Sequence, residues 1–143
     1  MGSKSADAEV AFKFDFPSSE GERMKLVRAL TPVINRIQQD ALSRSRLNAP
    51  IRTGRLRESL RVNPEVNLTT GVITFSFGSS VSYALAEHEQ DHQLGPVSMS
   101  QPSTDEGGVG KKYFTRVIDR NYDIWAGWLT EAYLTYIDKQ LKV

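Results

Sequence analysis

The residues most typical of an enzyme in this chain are two histidines with an acid between them. The stretch His88-Glu89-Gln90-Asp91-His92 matches His-Glu-x-x-His, in which two histidines one helical turn apart hold zinc and the glutamate acts as general base. The surroundings differ from those of a zinc protease, because the chain has no third histidine and a Gly-Pro break follows closely. An acid such as Asp105 or Glu106 would have to complete the ligands. We therefore expect no enzyme and no bound metal, and keep a hydrolase using His88, Glu89 and His92 as an alternative.

Other catalytic patterns are missing from the sequence. The chain has no cysteine, which excludes disulfides, thiolate catalysis and cysteine-ligated metals. The glycines at 107, 108 and 110 before Lys111 lack the spacing of a phosphate-binding loop and the Ser or Thr that should follow. No serine-nucleophile motif is present. These observations favour a protein that binds rather than one that catalyses, with no cofactor.

An arginine-rich segment, residues 49–60, is the second chemically distinctive stretch. It contains Arg52, Arg55 and Arg57, and Arg61 follows directly. Pro50 should end any helix before it, and Gly54 permits backbone angles that other residues avoid. Four guanidinium groups so close together favour either a solvated surface turn or a surface that meets phosphates or a neighbouring subunit.

Charge is distributed unevenly along the chain, although the total is only +1. Residues 23–61 carry a net charge of +8, whereas residues 1–22 carry −3 and residues 62–143 carry −4. Such a distribution is typical of a solvated basic helix face, of a surface for a polyanion, or of segments that pair between copies of one chain. A basic nucleic-acid-binding module is therefore a second alternative function.

Hydrophobic periodicity predicts five elements within a single domain spanning residues 1–143. Residues 9–16 alternate as a half-buried strand after a flexible tail at 1–8. Ser19 and Glu22 form a capping-box pattern before a helix over about 20–47, which Pro32 should kink or divide. Strands near 60–62 and 72–77 should form an antiparallel hairpin across a turn at 67–71, with Pro64 confining the first to an edge.

The last third of the chain predicts a long loop followed by a helix. Residues 81–87 could form a short strand or a helical turn, and residues 90–111 have no periodicity and should be a mobile loop. A helix should follow from Tyr113 to about Lys142, with a break near Asn121 as an alternative. Its aromatic stripe would either close the core or face a partner. No apolar run is long enough to cross a membrane, and no signal peptide is evident.

Three motifs in order resemble one known family. Residues 49–60 read Ala-Pro-x-x-Thr-Gly-x-Leu-Arg-x-Ser-Leu, residues 83–89 read Tyr-Ala-Leu-Ala-Glu-His-Glu, and residues 110–114 read Gly-Lys-Lys-Tyr-Phe. Their order and spacing are similar to those of the tail-completion family of tailed bacteriophages, the small neck or head–tail connector proteins of lambdoid type. The resemblance spans roughly residues 20–135, and the long loop and tryptophan-rich C-terminus depart from it.

The resemblance implies a fold, partners and a location. It implies an α+β domain in which a long N-terminal helix and a C-terminal helix pack on a small curved antiparallel sheet. It further implies a structural virion protein that forms a ring, a hexamer or dodecamer, at the head–tail junction. The partners would be portal or adaptor proteins and tail-tube or tail-terminator proteins, with assembly in the host cytoplasm and sequence-independent contact with genomic DNA.

Two groups of residues are the expected contact sites on such a subunit. The first would meet DNA or a neighbouring subunit, and the second would meet a neighbouring subunit or a partner protein. The first group is Arg44, Arg52, Arg55, Arg57 and Arg61, and the second is Glu87, His88, Asp91, Lys111 and Lys112.

Overall fold

The computed structural model describes residues 8–48, 58–79 and 109–142, and the side chains of the last range from residue 114 onward. These ranges contain strand β1 (Ala8–Lys13), helix α1 (Glu20–Asn48), strands β2 (Leu60–Asn67) and β3 (Val72–Ser79), and helix α2 (Val109–Leu141). Two helices pack on a three-stranded antiparallel sheet, which confirms the predicted α+β class. Residues 1–7 of the predicted tail and most of the predicted loop lie outside the described residues, as do residues 81–87. Ala8, predicted as the last residue of the tail, is instead the first residue of β1.

The sheet has one face covered by the helices and one open face. Its strand order is β1-β3-β2, and both pairs are antiparallel. Because side chains alternate along a strand, the apolar residues of all three strands reach the covered face. The buried side chains of this face are those of Val10, Phe12, Leu60, Val62, Ile73, Phe75 and Phe77. The open face carries polar residues such as Glu9, Lys13 and Glu65, which are exposed.

The β2–β3 hairpin is confirmed, and Asn67 closes its turn. The Asn67 side-chain oxygen accepts hydrogen bonds from the backbone N–H groups of Thr69 and Thr70, at 3.0 Å each. Gly71 donates its N–H to Asn67 O at 2.8 Å and has a φ of 77°, a left-handed value that favours glycine. Pro64 lies within β2, on an edge strand as expected.

Strand β1 ends at Lys13, three residues earlier than the sequence predicted. Its partner β3 begins at Val72, so β1 has no further strand to pair with. One more hydrogen bond, from Phe14 N–H to Gly71 O at 2.9 Å, ties the chain to the hairpin turn. Phe14 and Phe16 still pack half-buried against the core, which is why the alternation continues past the strand.

Helix α1 starts where the capping pattern indicates and continues through Pro32. Ser19 Oγ accepts a hydrogen bond from Glu22 N–H at 3.1 Å. The helix is not divided at Pro32, and the hydroxyl of the preceding Thr31 donates to Val27 O, one turn back in the same helix, at 2.8 Å. Pro32 is exposed, so the carbonyl that loses its helical donor there can bind water.

Helix α2 closes the core over the covered face. It starts at Val109, so the last residues of the predicted loop at 90–111 are helical. Phe114, Val117, Trp125 and Leu129 are buried. There is no break at Asn121, because its side-chain amide donates to Val117 O at 2.8 Å and so satisfies itself within the helix.

The two helices run antiparallel. Arg36 of α1 lies 3.7 Å from the ring centre of Trp128, and Asp40 contacts Trp125. Residues further along α1 therefore meet residues earlier in α2. At the far end of α2, Tyr133 donates its hydroxyl to Asp15 O at 2.7 Å, which ties α2 to the segment between β1 and α1.

Replacing Gly71 and Gly127 by alanine should have opposite effects on stability. A Cβ at Gly71 would lie against Phe14 O at a positive φ, so Gly71→Ala should lower the free energy of unfolding by about 2 kcal/mol or more. A Cβ at Gly127, inside α2, meets nothing within 4 Å. Gly127→Ala should therefore raise stability by about 0.5–1 kcal/mol. Denaturant unfolding measures both, and equal effects would contradict the turn geometry.

Stability should depend on Tyr133 at alkaline pH. Burial, and then the negative charge of Asp15, raise the pKa of Tyr133 above its ordinary value of 10.0. Between the pKa of Tyr133 in the unfolded state and its higher pKa in the folded state, the folded protein binds more protons than the unfolded protein. The contribution of Tyr133 to the free energy of unfolding is therefore complete below pH 10.0 and is lost as pH rises through the folded-state pKa. In Tyr133→Phe, unfolding midpoints measured across this window should fall less steeply than in the wild type. Parallel curves would contradict the assignment.

Candidate functional site

Residues within three positions of the two internal gaps in the described part of the chain lie at one end of the domain. We call it the connection end; it contains Asn48, Leu60, Ser79 and Val109. Leu60 pairs with Ser79 across the hairpin, and Ala8 pairs with the nearby Phe77. Phe114 of α2 lies 5.6 Å from Phe77, measured between ring centres. The arginine-rich segment and the His-Glu stretch therefore both attach to this end.

A crevice opens at the connection end between the last turns of α1 and the first half of α2. Its volume is about 280 Å³. The residues that line it come from both helices and are Arg44, Leu47, Asn48, Val117, Arg120 and Asn121. The antiparallel packing of α1 on α2 brings the two arginines together, although they are far apart in the sequence. The crevice therefore presents two guanidinium groups and a polar wall.

Asp40 fixes the α1 wall of this crevice. Its Oδ2 accepts hydrogen bonds from Arg44 Nε and from the indole N–H of Trp125, each at 2.9 Å. Trp125 is fully buried, so its N–H depends on this acceptor. Arg44 is held through Nε alone in these contacts and its side chain is 46% exposed. Its terminal nitrogens can therefore face a ligand while Asp40 fixes the stem.

Sequence reasoning missed Arg120. Its side chain is exposed, and it makes no ion pair within the residues that the structure describes. Nothing in the local sequence around Arg120 distinguishes it from other helix-surface arginines. Only the pairing of α1 with α2 brings it to the same crevice as Arg44, and the sequence does not fix that pairing.

The predicted site residues are only partly brought together. Arg44 lines the crevice. Arg61 does not, because its Nη1 donates to Glu58 O at 3.1 Å and to Leu60 O at 2.9 Å, at the start of β2. Lys111 and Lys112 lie in the first turns of α2, but their side chains are outside the described part. The remaining predicted residues lie outside it altogether: Arg52, Arg55, Arg57, Glu87, His88, Asp91 and His92.

The last two residues of the arginine-rich motif have a structural role. Ser59 is buried and its hydroxyl lies 2.7 Å from that of Ser79. Leu60 is fully buried in the core. The Ser-Leu pair therefore fastens the end of the segment to the sheet.

The crevice is suited to binding an anion and not to acid–base catalysis. Guanidinium groups stay charged at any physiological pH, so they can hold a phosphate or carboxylate but cannot exchange protons with it. Among the described residues no group of three His, Asp or Glu side chains could hold a metal ion. Within the same ranges, no helix has the length and apolar character needed to cross a membrane. No protein-family model, curated protein or solved structure matches the chain.

Removing the Asp40 carboxylate should destabilise the fold and release Arg44. Asp40→Ala leaves the buried Trp125 N–H without its acceptor, so we expect a loss of about 1–3 kcal/mol in the free energy of unfolding. Asp138→Ala is the matched control, because the Asp138–Lys142 pair is exposed on both sides and should change stability by less than about 0.5 kcal/mol. Chemical denaturation of both variants measures the difference. Similar losses would show that Asp40 does not join the helices.

Proposed function

We propose that the chain is a neck or tail-completion subunit of a tailed bacteriophage, a structural protein that joins the DNA-filled head to the tail. The observation that carries the proposal is that described residues next to the family-like motifs lie at one end of the domain. Residues 49–60 and 110–114 both adjoin the connection end, and residues 83–89 lie in the segment that leaves β3 there. Segments that leave a fold at the same end can contribute to one contact site.

Size and charge support assembly as a ring. A 16.0 kDa domain is too small to span a head–tail junction alone, whereas several copies around an axis can do so. The basic α1 and the acidic remainder of the chain would allow neighbouring subunits to pair by charge. The proposed partners are the portal or adaptor complex on the head side and tail proteins on the other side.

The arginine crevice supports contact with DNA phosphates. Arg44 and Arg120 offer two guanidinium groups at the connection end. The segment that contains Arg52, Arg55 and Arg57 follows directly in the sequence after Asn48, which also lines the crevice. Phosphate contacts of this kind are independent of base sequence. A neck subunit needs such contacts, because any part of the genome can pass through it.

Loss of the chain should separate heads from tails. Deleting its gene from the parent phage should leave DNA-filled heads and finished tails side by side in electron micrographs, and adding the purified protein to the lysate should join them and restore infectivity. The experiment removes one structural part, so synthesis of the other virion proteins should be unchanged. Normal virions without the chain would overturn the proposal, as would stoichiometric zinc that is lost from the purified protein in His88→Ala.

The crevice arginines should hold DNA in the joined particle. The double variant Arg44→Gln with Arg120→Gln should still join heads to tails but should release DNA at lower salt than the wild type, because two phosphate contacts are lost. The matched control is Arg28→Gln with Lys139→Gln, which removes the same charge from exposed sites outside the crevice. DNA release is measured by nuclease sensitivity across a salt series. Equal release from both double variants would rule out the crevice as the DNA contact.

A further inference from the structure

The two edges of the sheet differ in what their backbone groups can bind. Alternate residues of an edge strand point their N–H and C=O groups outward, away from the neighbouring strand. Phe14 N–H bonds to Gly71 O, so the even-numbered positions of β1 face β3. The outward groups of β1 are therefore those of Glu9, Ala11 and Lys13.

The outer edge of β2 is already occupied. Val62 O accepts a hydrogen bond from the Gln38 side chain at 2.7 Å, and Leu60 O accepts one from Arg61 at 2.9 Å. Pro64, at the next outward position, has no N–H to offer. Blocking an edge with proline and side-chain contacts is how proteins prevent another strand from adding there.

The residues that the structure describes give the outer edge of β1 no such protection. Within the described part of the chain, no group bonds to the outward N–H or C=O of Glu9, Ala11 or Lys13. Their side chains are exposed on the open face. Three residues thus present a row of unpaired donors and acceptors, which is a template for another strand.

We propose that this edge pairs with the β1 edge of a second copy of the chain, antiparallel and centred on Ala11. In that register Glu9 lies opposite the partner subunit's Lys13, and Lys13 opposite the partner subunit's Glu9. The two alanines meet at the two-fold axis, where their small side chains leave room for close approach. All three pairs are hydrogen-bonded pairs, so six N–H···O bonds form across the edge.

The charges select this register over the alternatives. Centring the pair on Glu9 or on Lys13 would place like charges opposite each other, which is destabilising. A parallel arrangement in register would place Glu9 beside the partner subunit's Glu9 and Lys13 beside the partner subunit's Lys13, which is also destabilising. Only the antiparallel pairing about Ala11 satisfies both charges on both chains, and an isologous contact of this kind closes as a dimer.

The covered face supports the same pairing. There, Ala8 would lie opposite the partner subunit's Phe14, and Val10 opposite the partner subunit's Phe12, so the row is entirely apolar. Tyr122 stacks on Phe12 with 5.0 Å between ring centres and is 41% exposed beside this edge. Pairing would continue the sheet across six strands and cover part of that ring. The inference does not depend on the proposed function.

A charge exchange tests the pairing. The wild type should show a concentration-dependent rise in mass from one to two copies in analytical ultracentrifugation. Glu9→Lys and Lys13→Glu should each raise the dimer dissociation constant by about tenfold or more, because each turns two attractive pairs into two repulsive ones. The double variant, Glu9→Lys with Lys13→Glu, should recover the wild-type constant. Glu65→Lys, on the blocked edge, should change nothing. A monomer at every concentration, or no recovery in the double variant, would overturn the proposal.

Cross-linking tests the register. The chain has no cysteine, so Ala11→Cys introduces one. In a hydrogen-bonded antiparallel pair the two Cα atoms are about 5.5 Å apart, which a disulfide can span. Mild oxidation should give a covalent dimer that is lost on reduction, whereas Asn63→Cys on the blocked edge should stay monomeric. Equal cross-linking of the two variants would overturn the assigned edge. Unchanged thermal unfolding of both reduced variants confirms that each is folded.

Discussion

The structure depends on the central strand β3 being paired on both sides while only one of its faces is covered. Its backbone bonds alternately to β1 and to β2, so β3 holds the other two strands in place. Phe77 on its covered face meets both Phe114 and Trp125 of α2. A three-stranded sheet buries too little apolar surface by itself, so the two helices must supply the rest of the core. Every other feature follows from how those helices lie across that face.

The helix pairing links a requirement of the core to the position of the arginine crevice. Trp125 brings a polar N–H into the core and needs an acceptor there, which Asp40 provides. The same carboxylate oxygen holds Arg44 at the rim of the crevice. The contact that satisfies the tryptophan therefore also orients an arginine, and the antiparallel course of α2 adds Arg120 opposite it. Further along the helix pair, Arg36 covers Trp128, so one α1 arginine packs on an aromatic ring whereas Arg44 lines the crevice.

The sequence predicts those parts of the fold that depend on near neighbours. The Ser19 cap, the Asn67–Gly71 turn and the alternation of β3 are local, and each is found where the pattern indicates. Pro32 and Asn121 look like helix breakers locally, but one is exposed and the other satisfies its own amide within the helix. The crevice could not be predicted, because it requires knowing that residues near 44 meet residues near 120. The end of β1 could not be predicted either, because the strand stops opposite the first residue of β3 and not where its alternation of apolar and polar residues ends.

The strand order has a consequence for when the domain can fold. β1 is synthesised first, yet its partner β3 comes only after α1 and β2. The β2–β3 hairpin is local and can form early, whereas β1 must wait and then close a long loop. Trp125 and Leu129, which complete the core, are made later still. Until then Val10, Phe12 and the apolar side of α1 can pack only against the hairpin, so part of their apolar surface stays exposed until α2 has emerged.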